Sequence, residues 1–342
     1  MSIAIAIMIG SRDSTFDLVK TTINSIMTNI GTNEYKLIIS MAPFMDEQIK
    51  NYIYALKRDN SELIDLMPEE NPYWADFING AIDRSRDCKY FINSHDDIEL
   101  MTPDFLAKVE DTLGNISEPV GWVSFTDKDY LNGHWCPPTR PGWHRDVLFE
   151  DGWNKRKLFQ FHTLPDKWWE PSLFAKRTYM VENRIRRTLR LKSCPPPRRS
   201  RKYYASLPYD FPLAPVKCHA PFTGFVLIEM DKLKQIGKAE NWGTHNTLLA
   251  DEDWGLRALQ LGLNNIWIPD IEYVHWRMPH GGTRSWDDIV KDQERVHRLF
   301  FEKWGFHSAA GIEELDFIKK EYGNTNITWS VDKRSYEWEY IQ

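Results

Sequence analysis

Apolar positions in the first hundred residues follow two alternating periods. Residues 3–9 are a continuous apolar run, typical of a strand buried in a parallel sheet, and residues 35–40 predict a second strand. Between and after them, apolar side chains recur every three or four residues, which predicts amphipathic helices. The helical positions are Phe16, Val19, Ile23, Ile26 and Ile30, then Ile49, Tyr52, Ile53 and Leu56, then Trp74, Phe77, Ile78, Ala81 and Ile82. A third strand over 90–92 follows, so this order predicts an α/β fold with a parallel sheet and right-handed crossovers.

Capping residues set the expected ends of these helices. Ser14 with Asp17 resembles a capping box, and Gly31 fits the left-handed position that follows a helix. Thr102 precedes a proline and predicts a further helix over 103–114. These boundaries also locate the carboxyl ends of the strands, where open α/β sheets bind their ligands.

The regular pattern stops after a predicted strand over 120–125. Residues 127–218 are rich in Trp, Pro and charged residues, which indicates a long irregular insertion. Periodicity then returns with a strand over 222–230. The later elements are a helix ending at Gly237, a helix over 252–261 ended by Gly262, strands over 265–268 and 271–274, and C-terminal helices through Trp286, Ile289, Val296 and Phe300 and through Ile312, Leu315 and Ile318.

Composition excludes several classes of protein. The hydrophobic content of 42% and the charged content of 27% are ordinary for a soluble globular chain, and a net charge of -6 argues against a polycation. The four cysteines show no CxxC spacing and are too sparse for a disulfide framework. The opening run lacks the basic start of a signal peptide, and no apolar run approaches the roughly 18 residues of a membrane span. We therefore expect reduced thiols and a cytoplasmic protein.

Three acidic or histidine clusters follow predicted strands or begin a predicted helix. They are His95-Asp96-Asp97, Asp251-Glu252-Asp253 and His275. Carboxylates at a helix start are favoured by the helix dipole, so the second cluster has a purely structural interpretation as well. A single histidine at a strand end is also common as a hydrogen-bonded structural residue.

The order of these clusters resembles the nucleotide-sugar glycosyltransferases of the GT-A fold, particularly the large family 2. In that family a strand ends in a DXD motif, here matched by YFINSHDD. A later apolar strand with small residues resembles FTGFVLIEMDKLKQIG, an acidic helix start resembles EDWGLRALQLG, and a strand ending in histidine resembles IPDIEYVHW. The resemblance covers residues 1–127 and 221–282.

The resemblance implies a Rossmann-like, mixed but mostly parallel sheet flanked by helices. It also divides the chain by role. Residues 1–127 correspond to the half that binds the donor nucleotide, and 221–282 to the catalytic and acceptor half. Residues 128–220 are then an insertion for acceptor recognition, and 283–342 a C-terminal helical extension.

The implied reaction is metal-dependent transfer of a sugar from a nucleotide donor, with a diphosphate as leaving group. A divalent cation stabilises the charge on that group, and carboxylates with an imidazole suit Mn²⁺ or Mg²⁺, with the imidazole favouring Mn²⁺. Asp97 aligns with the last acid of DXD, and His275 with the C-terminal histidine of the family. His280 is an alternative to His275.

The resemblance also implies an inverting mechanism, in which a carboxylate accepts the proton of the acceptor hydroxyl. Asp253 aligns with that general base, and Glu252 stands beside it. The positions aligned with donor contacts are Gly10, Ser11, Arg12, Ser40, Asn79, His95 and Asp96. Structural alternatives remain for two of these, since Asn79 suits a turn cap and Arg12 a surface ion pair.

Three positions depart from the family pattern. His95 replaces the first acid of DXD, and Gly255 replaces the second acid of the helix-start motif. Ser40 stands near the position where relatives carry an aspartate that reads the nucleobase. The nucleotide is therefore open, with UDP the commonest in the family.

The insertion has its own candidate chemistry. It contains Trp135, Trp143, Trp153, Trp168 and Trp169, suited to a core or to stacking on sugars or bases. Residues 176–202 hold eleven Lys or Arg and a single acidic residue. This run suits a solvated helix, an anionic lipid-linked acceptor, or DNA carrying a hydroxymethylated base. A non-catalytic nucleic-acid-binding protein on a degenerate transferase scaffold is the alternative function.

Overall fold

A computed structural model of the 342-residue chain is the basis for the structural description. The described residues are 2–10, 14–32, 34–70, 73–129, 134–136, 214–218, 224–243, 249–276, 295–296, 298–300 and 302–304. For residues 128–129, 134–136 and 251, the description is limited to the backbone. Most of the insertion lies outside this part of the chain, including the basic run at 176–202 and Trp143, Trp153, Trp168 and Trp169.

The strands of the described residues form one ten-stranded sheet. They are β1 (Ile3–Ile9), β2 (Tyr35–Met41), β3 (Ile64–Leu66), β4 (Tyr90–Ser94), β5 (Ile98–Leu100), β6 (Val120–Asp129), β7 (His134–Cys136), β8 (Val216–Cys218), β9 (Phe225–Glu229) and β10 (Asn264–His275). The order is β3-β2-β1-β4-β9-β6-β10-β5, with β7 beside β6 and β8 beside β10. The six strands β1, β2, β3, β4, β6 and β10 run in one direction, and the other four run against them.

Helices cover both faces of this sheet. They are α1 (Phe16–Asn29), α2 (Glu47–Asp59), α3 (Trp74–Arg84), α4 (Phe105–Gly114), α5 (Met230–Ile236) and α6 (Ala250–Gln260), with further helical residues between 295 and 304. Successive residues of β1 alternate between two cores: Ile3 and Ile5 pack with α1, α2 and α4, whereas Ala4 packs with α3, α5 and α6. The expected three-layer α/β arrangement is confirmed. None of the helices in the described ranges is long and apolar enough to cross a membrane.

Two predicted helix caps are wrong, by one residue at α1 and by two at α4. Helix α1 begins at Phe16, because the hydroxyl of Thr15, and not that of Ser14, accepts the N–H of Leu18 at 3.3 Å. Helix α4 begins at Phe105, since Thr102 instead accepts the N–H of Glu272 on β10 at 2.8 Å. In both cases the side chain that the local pattern assigned to the cap instead contacts a residue distant in sequence: Ser14 contacts Asp96 in the turn after β4, and Thr102 contacts Glu272 on β10.

Other boundaries agree with the pattern. Gly31 has a φ of 77°, and a Cβ there would lie 2.7 Å from the Cα of Asp104, so the position requires glycine. The two strands predicted over 265–268 and 271–274 form the single strand β10, whose register shifts between Ile268 and Glu272 around a proline. Of the predicted C-terminal helix positions, Val296 and Phe300 are buried; Trp286, Ile289, Ile312, Leu315 and Ile318 lie outside the described residues.

Candidate metal centre and active site

Pairing among β5, β9 and β10 sets the position of the first acidic cluster, His95-Asp96-Asp97, beside the end of β10. Strand β5 pairs antiparallel with β10, which sets Ile98 opposite His275. The N–H of Trp276 donates to the carbonyl of Asp97 at 2.9 Å, and the N–H of His95 donates to the carbonyl that precedes β9 at 2.9 Å. The backbone on both sides of the cluster is therefore fixed by the sheet.

His95, Asp97 and His275 form a cluster with the geometry of a metal centre. His95 Nδ1 lies 3.4 Å from His275 Nε2, which lies 3.1 Å from Asp97 Oδ1. One ligand atom from each residue falls within 4.8 Å of the others. Ligands that share one cation at about 2.1–2.2 Å are themselves about 3–4.4 Å apart, so the spacing fits a single ion. Two imidazoles and a carboxylate suit Mn²⁺.

This arrangement gives His95 a different candidate role from the one that the sequence resemblance implied. His95, aligned with a donor contact, lies among the metal-type ligands, together with Asp97 and His275. Asp97 is buried and both histidines are half-buried, so a bound cation would be partly screened from water. The alternative histidine, His280, lies outside the described residues.

Asp96 faces away from this cluster, towards α1. Its Oδ2 accepts the hydroxyl of Ser14 at 2.5 Å, and its carbonyl accepts the hydroxyl of Thr22 at 2.9 Å. Burial, and then the charge of Asp97, raise the pKa of Asp96 to about 7, although the hydrogen bond from Ser14 opposes both effects. Asp96 therefore connects Ser14, just before α1, with the turn that carries Asp97.

Asp127 is a residue of this site that the sequence reasoning missed. It is 3% exposed at the end of β6, and its Oδ1 accepts the backbone N–H of His275 at 3.2 Å. The pattern contains the necessary signal: Thr126 and Asp127 end an apolar strand with polar residues, as His95 and Asp97 follow β4. Asp127 therefore fixes the backbone of a candidate metal ligand.

Two of the predicted donor contacts, Gly10 and Ser40, lie at the carboxyl ends of β1 and β2. Gly10 follows β1 and is buried, while Ser40 is 2% exposed and stands opposite Met8 of β1. Ser11 and Arg12 lie outside the described residues. Asn79 instead holds two backbone atoms of Ala239, donating to its carbonyl at 3.0 Å and accepting its N–H at 2.8 Å. It thereby joins α3 to the loop after α5.

The second acidic cluster begins α6. This helix ends beside the start of β6 and β10, so its first turn points towards the carboxyl edge of these strands, where His275 lies. Glu252 is half-buried there, and Asp253 is 1% exposed. The described contacts of Asp253 are with Arg257, Lys303 and Trp304 and not with the metal-type cluster.

Comparisons with known proteins bear on the fold. No protein-family profile and no curated protein sequence matches the chain. Among solved structures, one of GalNAc-T7 with UDP, GalNAc and Mn²⁺ is similar with a TM-score of 0.54 at 10% identity, over 97% of this chain and 56% of that chain. S. aureus TarS 1-349 (TM-score 0.47, 9% identity, 98% and 73%) and the mannosyltransferase PcManGT from Pyrobaculum calidifontis with GDP-Man and Mn²⁺ (0.48, 11%, 97% and 72%) also match.

The likeness to GalNAc-T7 shows that this chain has the fold of the GT-A glycosyltransferases. This confirms the fold that the sequence resemblance implied. The chain spans just over half of the GalNAc-T7 chain, at 56% of its length.

Proposed function

We propose that this protein is a metal-dependent, inverting glycosyltransferase that moves a sugar from a nucleotide-sugar donor to a hydroxyl acceptor. The observation that carries the proposal is the cluster of His95, Asp97 and His275 at the carboxyl edge of a GT-A sheet. In open α/β folds this edge is where ligands bind, and the ligand types suit a divalent cation.

The three clustered side chains would hold the cation, which when bound supplies Lewis-acid stabilisation of the departing diphosphate. Asp97 contributes a negative charge, and the two imidazoles bind a metal in their neutral form. Asp127 keeps His275 in place through its backbone N–H. Asp96 keeps the acidic turn against α1 through Ser14, next to the predicted donor loop.

The first turn of α6 would supply the general base, through Glu252 or Asp253. The acceptor oxygen forms a bond to the anomeric carbon while the bond from that carbon to the diphosphate oxygen breaks. The diphosphate leaves with the electron pair, and the carboxylate takes the acceptor proton. Attack opposite to the leaving group inverts the anomeric centre.

A UDP-sugar is the proposed donor, because UDP and Mn²⁺ accompany the GalNAc-T7 structure that resembles this chain. The proposed acceptor is a hydroxyl of a glycan, of a lipid-linked or protein acceptor, or of a hydroxymethylated base in DNA. The eleven basic residues of 176–202 favour an anionic acceptor among these.

Thermal shift with a panel of UDP-, GDP- and dTDP-sugars, each with and without Mn²⁺, tests this function. We expect a donor to raise the melting temperature only with the metal, and Asp97→Ala to abolish that shift. The matched control is Asp111→Ala, on the exposed side of α4. If no donor stabilises the wild type while DNA or RNA binds it with steep salt dependence, the non-catalytic nucleic-acid-binding alternative is correct.

A further inference from the structure

Both oxygens of the Asp253 carboxylate lie close to cations from α6 or from the C-terminal segment. Its Oδ1 accepts the indole N–H of Trp304 at 3.0 Å and lies 2.7 Å from Lys303 Nζ. Its Oδ2 lies 3.0 Å from Arg257 Nε, an ion pair in which the N–H is not aligned for a hydrogen bond. With 1% of the residue exposed, two cations and an indole surround this carboxylate.

We propose that Asp253 is a positioning residue that anchors residues 302–304 to the first turn of α6, and that Glu252 is the general base. This proposal rests on the proposed glycosyl transfer. A general base must reach the acceptor hydroxyl at about 2.6–3.2 Å, directly or through one water. Asp253 is only 1% exposed, so the groups around it would have to move before an acceptor could reach it. Lys303 and Trp304 hold Oδ1 and Arg257 lies beside Oδ2, and moving either cation away would leave a buried charge without its partner.

The rotation of α6 is fixed, which separates the two acids. Trp254 is fully buried and stacks on Trp122 of β6 with 4.5 Å between ring centroids. Successive helical residues are about 100° apart, so Glu252 projects away from the direction in which Asp253 meets Lys303. Glu252 is half-buried in the turn that points towards the carboxyl edge of the sheet, and is therefore more exposed than Asp253.

The anchor extends beyond the acid itself. Lys303 also binds Glu240 in the loop after α5, with 2.8 Å between Nζ and Oε2. Arg257 Nη1 donates to the carbonyls of Ile236 and Lys238, at 3.0 and 2.8 Å. Through Asp253, Lys303 and Arg257, the first turn of α6 is therefore joined to residues 302–304, to the end of α5 and to the loop after α5. These contacts fix the position of a base on that turn relative to the sheet.

Two kinds of variant separate the base from the anchor. Glu252→Gln keeps the shape of the side chain but accepts no proton, so we expect kcat to fall at least about 100-fold while the donor KM and the melting temperature stay near wild type. The matched control is Glu302→Gln, an exposed acid beside the anchor. Asp253→Asn should lower the melting temperature by about 10 °C, because two cations then face a neutral amide.

The double variant Asp253→Asn with Lys303→Met tests the positioning role. If Asp253 acts as an anchor, removing the lysine as well should restore at least half of the lost melting temperature and a measurable part of kcat. A double variant that melts like the wild type but has less than about 1% of its kcat would overturn the proposal, since that result belongs to a base. So would a Glu252→Gln enzyme with wild-type kcat, or a loss confined to Asp251→Asn.

The outcomes also distinguish this proposal from the proposed function. If the wild type turns over no donor, the glycosyltransferase function fails, and the role of Glu252 fails with it. The melting temperatures of the single and double variants still decide whether Asp253 and Lys303 stabilise each other, because that measurement needs no substrate.

Discussion

Two buried aspartates in this protein, Asp97 and Asp253, have different kinds of partner. In the first cluster, Asp97 lies beside the imidazoles of His95 and His275, which are possible metal ligands. In the second cluster, Asp253 lies beside the cations Arg257 and Lys303. The first cluster can bind a cation, whereas the second already contains its cations. A buried acid at a strand or helix end is thus interpreted from the charge of its partners.

The largest effect should follow from breaking the first cluster. We expect His275→Ala to reduce metal-dependent turnover by more than about 1,000-fold, because losing the metal removes more stabilisation of the leaving group than a single hydrogen-bond donor supplies. Donor turnover with Mn²⁺ measures this. His95→Asp, which restores the acid of the family motif, should retain turnover and shift the metal preference towards Mg²⁺. A wild-type rate for His275→Ala would contradict the metal centre.

Neutralising the two aspartates should have opposite effects on stability. Asp253→Asn leaves two cations facing an amide and should cost about 3–5 kcal/mol. Asp97→Asn removes a charge that raises the pKa of its neighbour Asp96, so it relieves repulsion. In EDTA we expect Asp97→Asn to melt at or above the wild-type temperature. If both variants are destabilised equally, the two clusters do not differ in charge compensation.

A smaller effect should come from the residue that holds His275. Asp127→Asn weakens the hydrogen bond to the backbone N–H of His275, and we expect Mn²⁺ affinity to fall about 10- to 100-fold. Titration calorimetry measures this affinity. Asp270→Asn is the matched control, because Asp270 is exposed on the same strand β10. An unchanged affinity in Asp127→Asn would show that the backbone of His275 needs no such support.

The smallest effect on stability should come from Glu240, the second acid that pairs with Lys303. Glu240 is about half exposed, so Glu240→Gln should cost less than about 1 kcal/mol, far below Asp253→Asn on the same lysine. The hydrogen bond from Lys303 holds the pKa of Glu240 below its usual 4.5. Its contribution is present above that value and lost as the pH falls through the lowered one. Melting curves of the two proteins should therefore converge in acid, and a constant difference would contradict this.

The sequence predicts the fold well where the determinants are local. Strand β1 is found over the predicted residues 3–9, and Gly31 has the expected left-handed conformation. The errors occur where distant contacts override local preference, as when Ser14 donates to Asp96 and Thr15 caps α1. Caps are weak determinants, worth about 1 kcal/mol, so one buried acceptor is enough to redirect them.

The candidate site follows the same rule. Order along the chain suggested that Asp97 and His275 belong together, and their distance of 3.1 Å agrees. The resemblance assigned Asp253 the role of general base, and no pattern indicated its partners Lys303 and Trp304. They lie about fifty residues further on, with no periodic relation to α6. Partner identity depends on tertiary packing, and no local pattern encodes it. The assignment of the general base stays a prediction for the same reason.

The distance along the chain between the metal-type ligands has a consequence for folding. His95 and His275 are 180 residues apart in sequence, and the pairing of β5 with β10 brings them together. Contacts of such separation form slowly, since a long loop must close before they stabilise anything. Metal binding would then be a late event in folding. A cation held by these ligands would slow the separation of β5 from β10 at this edge of the sheet.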